Sequence, residues 1–231
     1  MFGLKNENNQ IFTYAEPFIL VNFILNNIKF FKTCIDLGTG SGSILFLLNK
    51  LFSNARYFGL ELVDDFLDSA INYKDDLAIR NIDFIKGDIL ESSNLFKESS
   101  FDLVTFNPPY YGMKEGRLPQ DKKRLLQRFE VKATLNDFLK ASNYLVKPSG
   151  RVFFIYPSEK INKVRKLVEL NSFYITSIQR FYHNRISKST LTVFQLEKSE
   201  RETNYLEDLI RNSKTYKQLY QLFFRLNQEM K

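Results

Sequence analysis

Thr33-Cys34-Ile35-Asp36-Leu37 runs directly into Gly38-Thr39-Gly40-Ser41-Gly42, and apolar residues then recur at helical spacing at Ile44, Leu45, Leu47, Leu48 and Leu51. A short apolar strand feeding a glycine-rich turn and then a helix is the opening of a β-α unit. The three glycines let the chain turn tightly and let a ligand approach where a Cβ would intrude. Their spacing is not that of the dinucleotide fingerprint, because the acid stands at the strand end, ahead of the glycines. No Lys-Ser/Thr pair follows to hold a phosphate as a P-loop does, so the pattern does not require a nucleotide phosphate.

Two more acids end apolar runs. Glu61 follows Tyr57-Phe58-Gly59-Leu60, and Asp88 follows Phe84-Ile85-Lys86-Gly87. Each alone would more often be a turn residue. In a parallel sheet, however, Asp36, Glu61 and Asp88 would line the carboxyl edge, where open α/β folds bind ligands, and Glu61 falls where a ribose-binding carboxylate stands in a Rossmann-like unit. Strands are predicted at about 33–37, 55–61, 82–87, 101–106, 151–157, 173–182 and 190–197, with helices between most of them. That alternation predicts a doubly wound, mostly parallel sheet. Pro148-Ser149-Gly150 reads as a turn between a long helical pattern, Leu125 to Val146, and the next strand. The short loop Asn184 to Ser189 makes the last two strands an antiparallel hairpin at the sheet edge. Ala15 to Ile28 reads as a helix, either covering the ligand side or simply packed in the core.

Behind the fourth strand stands Asn107-Pro108-Pro109-Tyr110. Two prolines fix φ and remove two N–H groups, so the backbone there can only accept hydrogen bonds. Asn107 adds a side-chain oxygen, and Tyr110 a face on which a base can stack. Together they suit the amino group of a flat molecule, such as N6 of adenine. A Pro-Pro turn closing a strand is the plain alternative for the tetrapeptide by itself.

These motifs together resemble the class I S-adenosylmethionine-dependent methyltransferases, and Asn107-Pro108-Pro109-Tyr110 resembles their amino-methylating branch. The resemblance covers roughly residues 30 to 200. It implies a Rossmann-like, seven-stranded, mostly parallel α/β sheet with a C-terminal antiparallel hairpin, and S-adenosylmethionine as cofactor. It also implies roles. Asp36, Gly38, Thr39, Gly40 and Gly42 would wrap the methionine moiety, Glu61 would bind the ribose hydroxyls, and Asp88 would meet the adenine amino group, with Leu62 and Ile89 beside them. Asn107, which would also border the cofactor, and the Pro108 carbonyl would hold the target nitrogen, with Pro109 and Tyr110 completing the site.

The chain has 231 residues, most simply one domain, taken here as 1–200 with 1–30 as a helical cover and 201–231 as a helical extension. A single cysteine, Cys34, placed in a predicted central strand, fits packing and a reducing cytoplasm better than a disulfide or zinc site. The only histidine is His183, so no metal site can be built from histidines, and none is expected. No segment has the apolar length of a membrane span and no signal peptide is evident, which predicts a cytoplasmic, membrane-free protein. The formal charge of +7 favours a polyanionic partner. A monomer is expected, although no residue specifies the oligomeric state.

Basic residues that could hold RNA fall in three stretches. Lys114, Arg117, Lys122, Lys123 and Arg124 follow the Asn-Pro-Pro-Tyr motif, beside the mouth of the expected site. Arg180, His183, Arg185 and Lys188 are interleaved with aromatic residues around the hairpin loop, a pattern suited to single-stranded RNA. His183 reads as an RNA-contact or loop residue rather than a catalyst. Each stretch has a solvated face as its plain alternative. The third stretch runs from Asn204 to Lys231, where apolar residues at helical spacing predict one or two amphipathic helices that pack on the sheet domain, with contact to an RNA stem as the lesser alternative.

Ile11 to Leu20 and His183-Asn184-Arg185-Ile186-Ser187-Lys188 resemble segments of the bacterial enzymes that methylate N6 of the adenine 3′ of the anticodon in tRNA1(Val). Tyr111 stands where that family commonly has Phe, and Glu16-Pro17 where an acid without proline is more usual. The resemblance implies tRNA as partner and adenine-37 as target. Protein glutamine N5-methylation, rRNA guanine N2-methylation and a silent RNA-binding subunit remain alternatives.

Overall fold

A computed structural model describes residues 15–109, 133–182, 189–198 and 214–215. Helix α1 (Ala15–Asn27) leads into strand β1 (Thr33–Leu37), followed by α2 (Ser43–Leu51), β2 (Arg56–Glu61), α3 (Asp64–Asp76) and β3 (Ile82–Lys86). A short 3₁₀ turn (Ile89–Glu91) and α4 (Ser92–Leu95) lead to β4 (Phe101–Phe106). After it come α5 (Leu135–Leu145), β5 (Val146–Pro157), a second 3₁₀ turn (Ser158–Lys160) and α6 (Ile161–Leu170). The chain then forms β6 (Phe173–Tyr182), β7 (Ser189–Lys198) and a two-residue strand β8 (Lys214–Thr215).

The strands form one sheet in the order β3-β2-β1-β4-β5-β7-β6-β8. Pairings from β3 through β5 are parallel, while β7 runs antiparallel to both β5 and β6. All seven predicted strands are present, including the antiparallel pair. The short β8 is additional: it pairs in parallel with Phe181 and Tyr182, at two residues where the apolar spacing suggested helix. The rest of 201–231 lies outside the described residues.

Two apolar layers hold the helices to the sheet. On one face α1 and α2 cover side chains such as Cys34, Leu103, Phe153, Ile155 and Val193, and the Phe23 ring meets Phe153 edge-on. α1 is therefore a core helix, the second of its two predicted roles. On the other face Leu135, Phe138 and Leu139 of α5 and Val164 and Val168 of α6 lie with Val104, Phe106, Phe154 and Phe194. Phe106, Phe154 and Phe194 are register partners on β4, β5 and β7, and their rings stack at 4.8 Å for each neighbouring pair. Both sides of the central strands are buried, which is why they read as continuous apolar runs rather than alternating ones.

One boundary differs from expectation. Pro148-Ser149-Gly150 was predicted to be a turn preceding a strand, but β5 starts at Val146 and the three residues form a bulge inside it. Between Phe101–Val146 and Leu103–Arg151 the register shifts, and Pro148, with no N–H to give, sits out of the ladder there. Gly150 is required at this bulge, because a Cβ would lie 2.6 Å from Val146 and 3.0 Å from the Asp102 carbonyl.

At the amino edge of the sheet, Asp102 ties β4 to the start of β1. Its Oδ2 accepts from the Lys32 and Thr33 backbone N–H groups, both at 2.9 Å, and from Thr33 Oγ1. Lys147 Nζ donates to Oδ1 at 2.7 Å. Partial burial opposes ionisation, but the Lys147 ammonium and these N–H groups hold the carboxyl below its usual range.

Candidate active site

The candidate site lies where β1, β2, β3 and β4 end together. Gly38, Gly40 and Gly42 all have positive φ, at 65°, 57° and 79°. Their surroundings divide their roles. A Cβ on Gly42 would strike Phe84 at 2.7 Å and Phe46 at 2.8 Å, so this glycine lets the start of α2 pack on β3. Gly59 is alike: a Cβ there would meet Phe84 at 2.6 Å and Thr39 Cγ2 at 2.8 Å. Gly40 is different, since among the described residues its Cβ position has nothing within 4 Å. It is the glycine that faces free space.

Glu61 closes the loop against β2. Its Oε2 accepts the Gly40 N–H at 2.7 Å, and its Oε1 accepts the N–H groups of Leu62 and Val63, both at 2.9 Å. Three N–H donors thus hold a buried carboxylate at the strand end, leaving lone-pair capacity for further donors. Asp88 stands at the end of the neighbouring strand, and its Oδ1 caps the following turn by accepting the Leu90 N–H at 2.9 Å.

Asp36 lies deeper, 1 % exposed, and accepts a 2.7 Å hydrogen bond from Thr105 Oγ1. Burial pushes its carboxyl up to about 7, partly opposed by the Thr105 bond and reinforced by the nearby Glu61 charge. Cys34 is buried two residues earlier, and burial together with the Asp36 charge raises its thiol well above the ordinary range. It is a packing residue rather than a reactive one.

Asn107 and Pro108 emerge from β4, which pairs directly with β1. Phe106, just before them, is clamped between the Phe154 and Phe138 rings. The carboxamide is therefore presented from a rigid strand end. Pro108 is buried and Pro109 exposed. Tyr110 lies outside the described residues, as do Lys114, Arg117, Lys122, Lys123, Arg124, His183, Arg185 and Lys188. Arg180 lies near the end of β6, partly exposed.

Beside the two outer acids, Leu62 and Leu90 are exposed. Ile89 is buried in the core under α5, so only its backbone can face a ligand, and the exposed neighbour Leu90 was missed in the sequence. Its signal was available, as an apolar residue in a turn two positions after a strand-end acid. Sequence reasoning also missed Thr105, whose role needed the pairing of β4 with β1.

Open space over Gly40, acceptors at the ends of β2 and β3, and two exposed apolar side chains next to them fit an adenosine-bearing, phosphate-free ligand such as S-adenosylmethionine. Among the described residues there is no cluster of His, Cys, Asp and Glu suited to a metal ion, and no helix is long and apolar enough to cross a membrane.

Strand order and site together define a Rossmann-like methyltransferase of class I, the class that uses S-adenosylmethionine. Residues 31–221 match the methyltransferase domain family, and the chain belongs to that family. It is 31% identical over 140 residues to the tRNA1(Val) (adenine(37)-N6)-methyltransferase of Porphyromonas gingivalis, a match taking in 57% of this chain and 52% of that protein. The chain thus spans about half the length of that relative. It is 26% identical over 181 residues to the tRNA (guanine-N(7)-)-methyltransferase of Metamycoplasma hominis, covering 77% of this chain and 82% of that one. In fold it is similar to precorrin-6y C5,15-methyltransferase from Geobacter metallireducens, with a TM-score of 0.57 at 13% identity over 85% of this chain and 93% of the other.

Proposed function

We propose that this protein transfers a methyl group from S-adenosylmethionine to N6 of an adenine in tRNA, the adenine at position 37 of tRNA1(Val), as a monomer in the cytoplasm. The observation that carries the reading is Asn107-Pro108-Pro109 at the end of β4, the strand next to the one that opens into the Gly40 loop. The relative from Porphyromonas gingivalis, whose name specifies that nucleotide, supports it. So does the net charge of +7, which favours a polyanion.

S-adenosylmethionine supplies a methyl group on a positively charged sulfur. The chain's own task is to hold the acceptor. Adenine N6 is a poor nucleophile because its lone pair is delocalised into the ring. The Asn107 side-chain oxygen and the Pro108 carbonyl accept hydrogen bonds from its two N–H groups, favouring a pyramidal nitrogen whose lone pair faces the methyl. No strong general base is needed, and a proton leaves to solvent after transfer. Tyr110 supplies the stacking face for the flipped base. Glu61 binds the ribose hydroxyls, Asp88 the adenine amino group, and Leu62 and Leu90 flank the ring, with the loop from Asp36 to Gly42 around the methionine end. Lys114, Arg117, Lys122, Lys123, Arg124, Arg180, His183, Arg185 and Lys188 take the RNA backbone.

The test is transfer of labelled methyl from S-adenosylmethionine to unmodified tRNA transcripts, with a release factor offered in parallel and the nucleosides analysed by mass. N6-methyladenosine at position 37 of one transcript is the expected product. Label on the release factor moves the assignment to glutamine methylation. Methylated guanine moves it to another base.

A further inference from the structure

Asp36 is a buried carboxylate with no countercharge: among the described residues, no Lys or Arg forms an ion pair with it. What faces it is neutral or negative. Cys34 lies on its own strand, the Glu61 carboxylate comes from the end of β2, and the Thr39 side chain comes from the loop. Thr105, its register partner on β4, is completely buried and donates to it from Oγ1 at 2.7 Å. A buried anion without a cation is costly unless a ligand completes the pair.

We propose that Thr105 is a positioning residue for the cofactor site: its hydroxyl holds the Asp36 carboxylate at the base of the glycine-rich loop and stabilises the ionised form, ready for the cationic methionine end of S-adenosylmethionine. The inference rests on the proposed cofactor assignment and deepens it. Val at this position matches the shape of Thr but has no donor, leaving Asp36 buried with one acceptor unsatisfied. Ser restores the donor without the methyl. Asn107 follows the end of the same strand, two residues after Thr105.

The experiment is calorimetric titration of S-adenosylmethionine into the full chain from pH 5.5 to 8.5, in buffers of different ionisation heat. Wild-type protein should bind more tightly as pH rises towards 7 and release a proton on binding. Thr105→Val should weaken binding about tenfold at pH 7, as expected for loss of a hydrogen bond to a charged group, and move the pH midpoint upward. Thr105→Ser should restore both. Asp36→Asn should remove the protein's share of the pH dependence, leaving only that of the ligand's own amine. If the valine variant does not fold, Thr105→Ala carries the same comparison. A wild-type pH midpoint in Thr105→Val, or an equal loss at every pH that Ser does not rescue, overturns the positioning role while leaving the cofactor assignment intact. Wild-type protein that binds no S-adenosylmethionine overturns both.

Discussion

The Glu61 carboxylate accepts the backbone N–H of Gly40 at 2.7 Å, so one side chain ties the end of β2 to the turn that follows β1. Because Gly40 faces open space, the same carboxylate sets both the shape of the loop and the acidic wall beside it. Glu61→Gln places an amide N–H₂ among three N–H donors. Cofactor affinity should fall roughly 10- to 100-fold, the range for lost hydrogen bonds to a charged group. Calorimetry at constant pH checks this, and unchanged affinity would remove Glu61 from the site.

Asn107→Ala should nearly abolish methyl transfer while leaving S-adenosylmethionine affinity within a few fold. The reason is that the carboxamide of Asn107, although it borders the cofactor, has its main task at the acceptor amine. Single-turnover assays beside equilibrium binding separate the two, and parallel losses would show that Asn107 serves the cofactor instead.

Gly40→Ala and Gly42→Ala should fail in different ways. Both residues have positive φ, at a cost of about 1–2 kcal/mol for an L residue. At Gly42 the new methyl also strikes Phe84 and Phe46, so its denaturation midpoint should fall further. At Gly40 the methyl meets no atom of the described residues, so the larger effect should be on cofactor binding. Urea unfolding with calorimetry distinguishes them. Equal stability losses would contradict the division of roles.

Phe154→Ala removes the middle ring of the Phe106–Phe154–Phe194 stack. A fully buried Phe truncated to Ala costs about 3–5 kcal/mol. Phe106 then loses a packing partner next to Asn107, so residual folded protein should also turn over more slowly at saturating cofactor. A loss of stability below about 1 kcal/mol in urea would mean that the stack is not a structural unit.

Asp102 contributes to stability through a folded-state carboxyl held below its usual range. Such a group stabilises the fold above its unfolded-state pKa, and the contribution disappears as pH falls through the lowered folded value. Asp102→Asn should therefore be less stable than wild type at neutral pH, and the gap should narrow as pH falls below the ordinary carboxylate range. Thermal unfolding between pH 2.5 and 7 reads the difference directly.

The glycine-rich turn, the three strand-end acids and Asn107-Pro108-Pro109 were legible in the chain because each is a local device. Positive φ favours glycine, a proline lacks an N–H, and strand burial on both faces writes itself as an apolar run. Seven of the sheet's eight strands, with the antiparallel pair, followed from the order of those runs, while the cofactor class came from the resemblance of the motifs to class I methyltransferases. What local pattern could not supply was pairing between residues far apart in sequence. Thr105 reads as an ordinary strand residue until β4 lies beside β1 and its hydroxyl reaches Asp36. Gly42 looks like a ligand-binding glycine until the Phe84 ring is seen packed against it. Pro148-Ser149-Gly150 looks like a turn, and only the partner strand β4 makes it a bulge. The tertiary structure also divided Ile89 from Leu90, burying one in the core and exposing the other, since a residue's face in an irregular turn depends on what packs above it. Sequence determined which chemistry the chain carries along the sheet edge. The tertiary structure decided which distant groups touch, because strand pairing and side-chain packing bring together residues far apart along the chain.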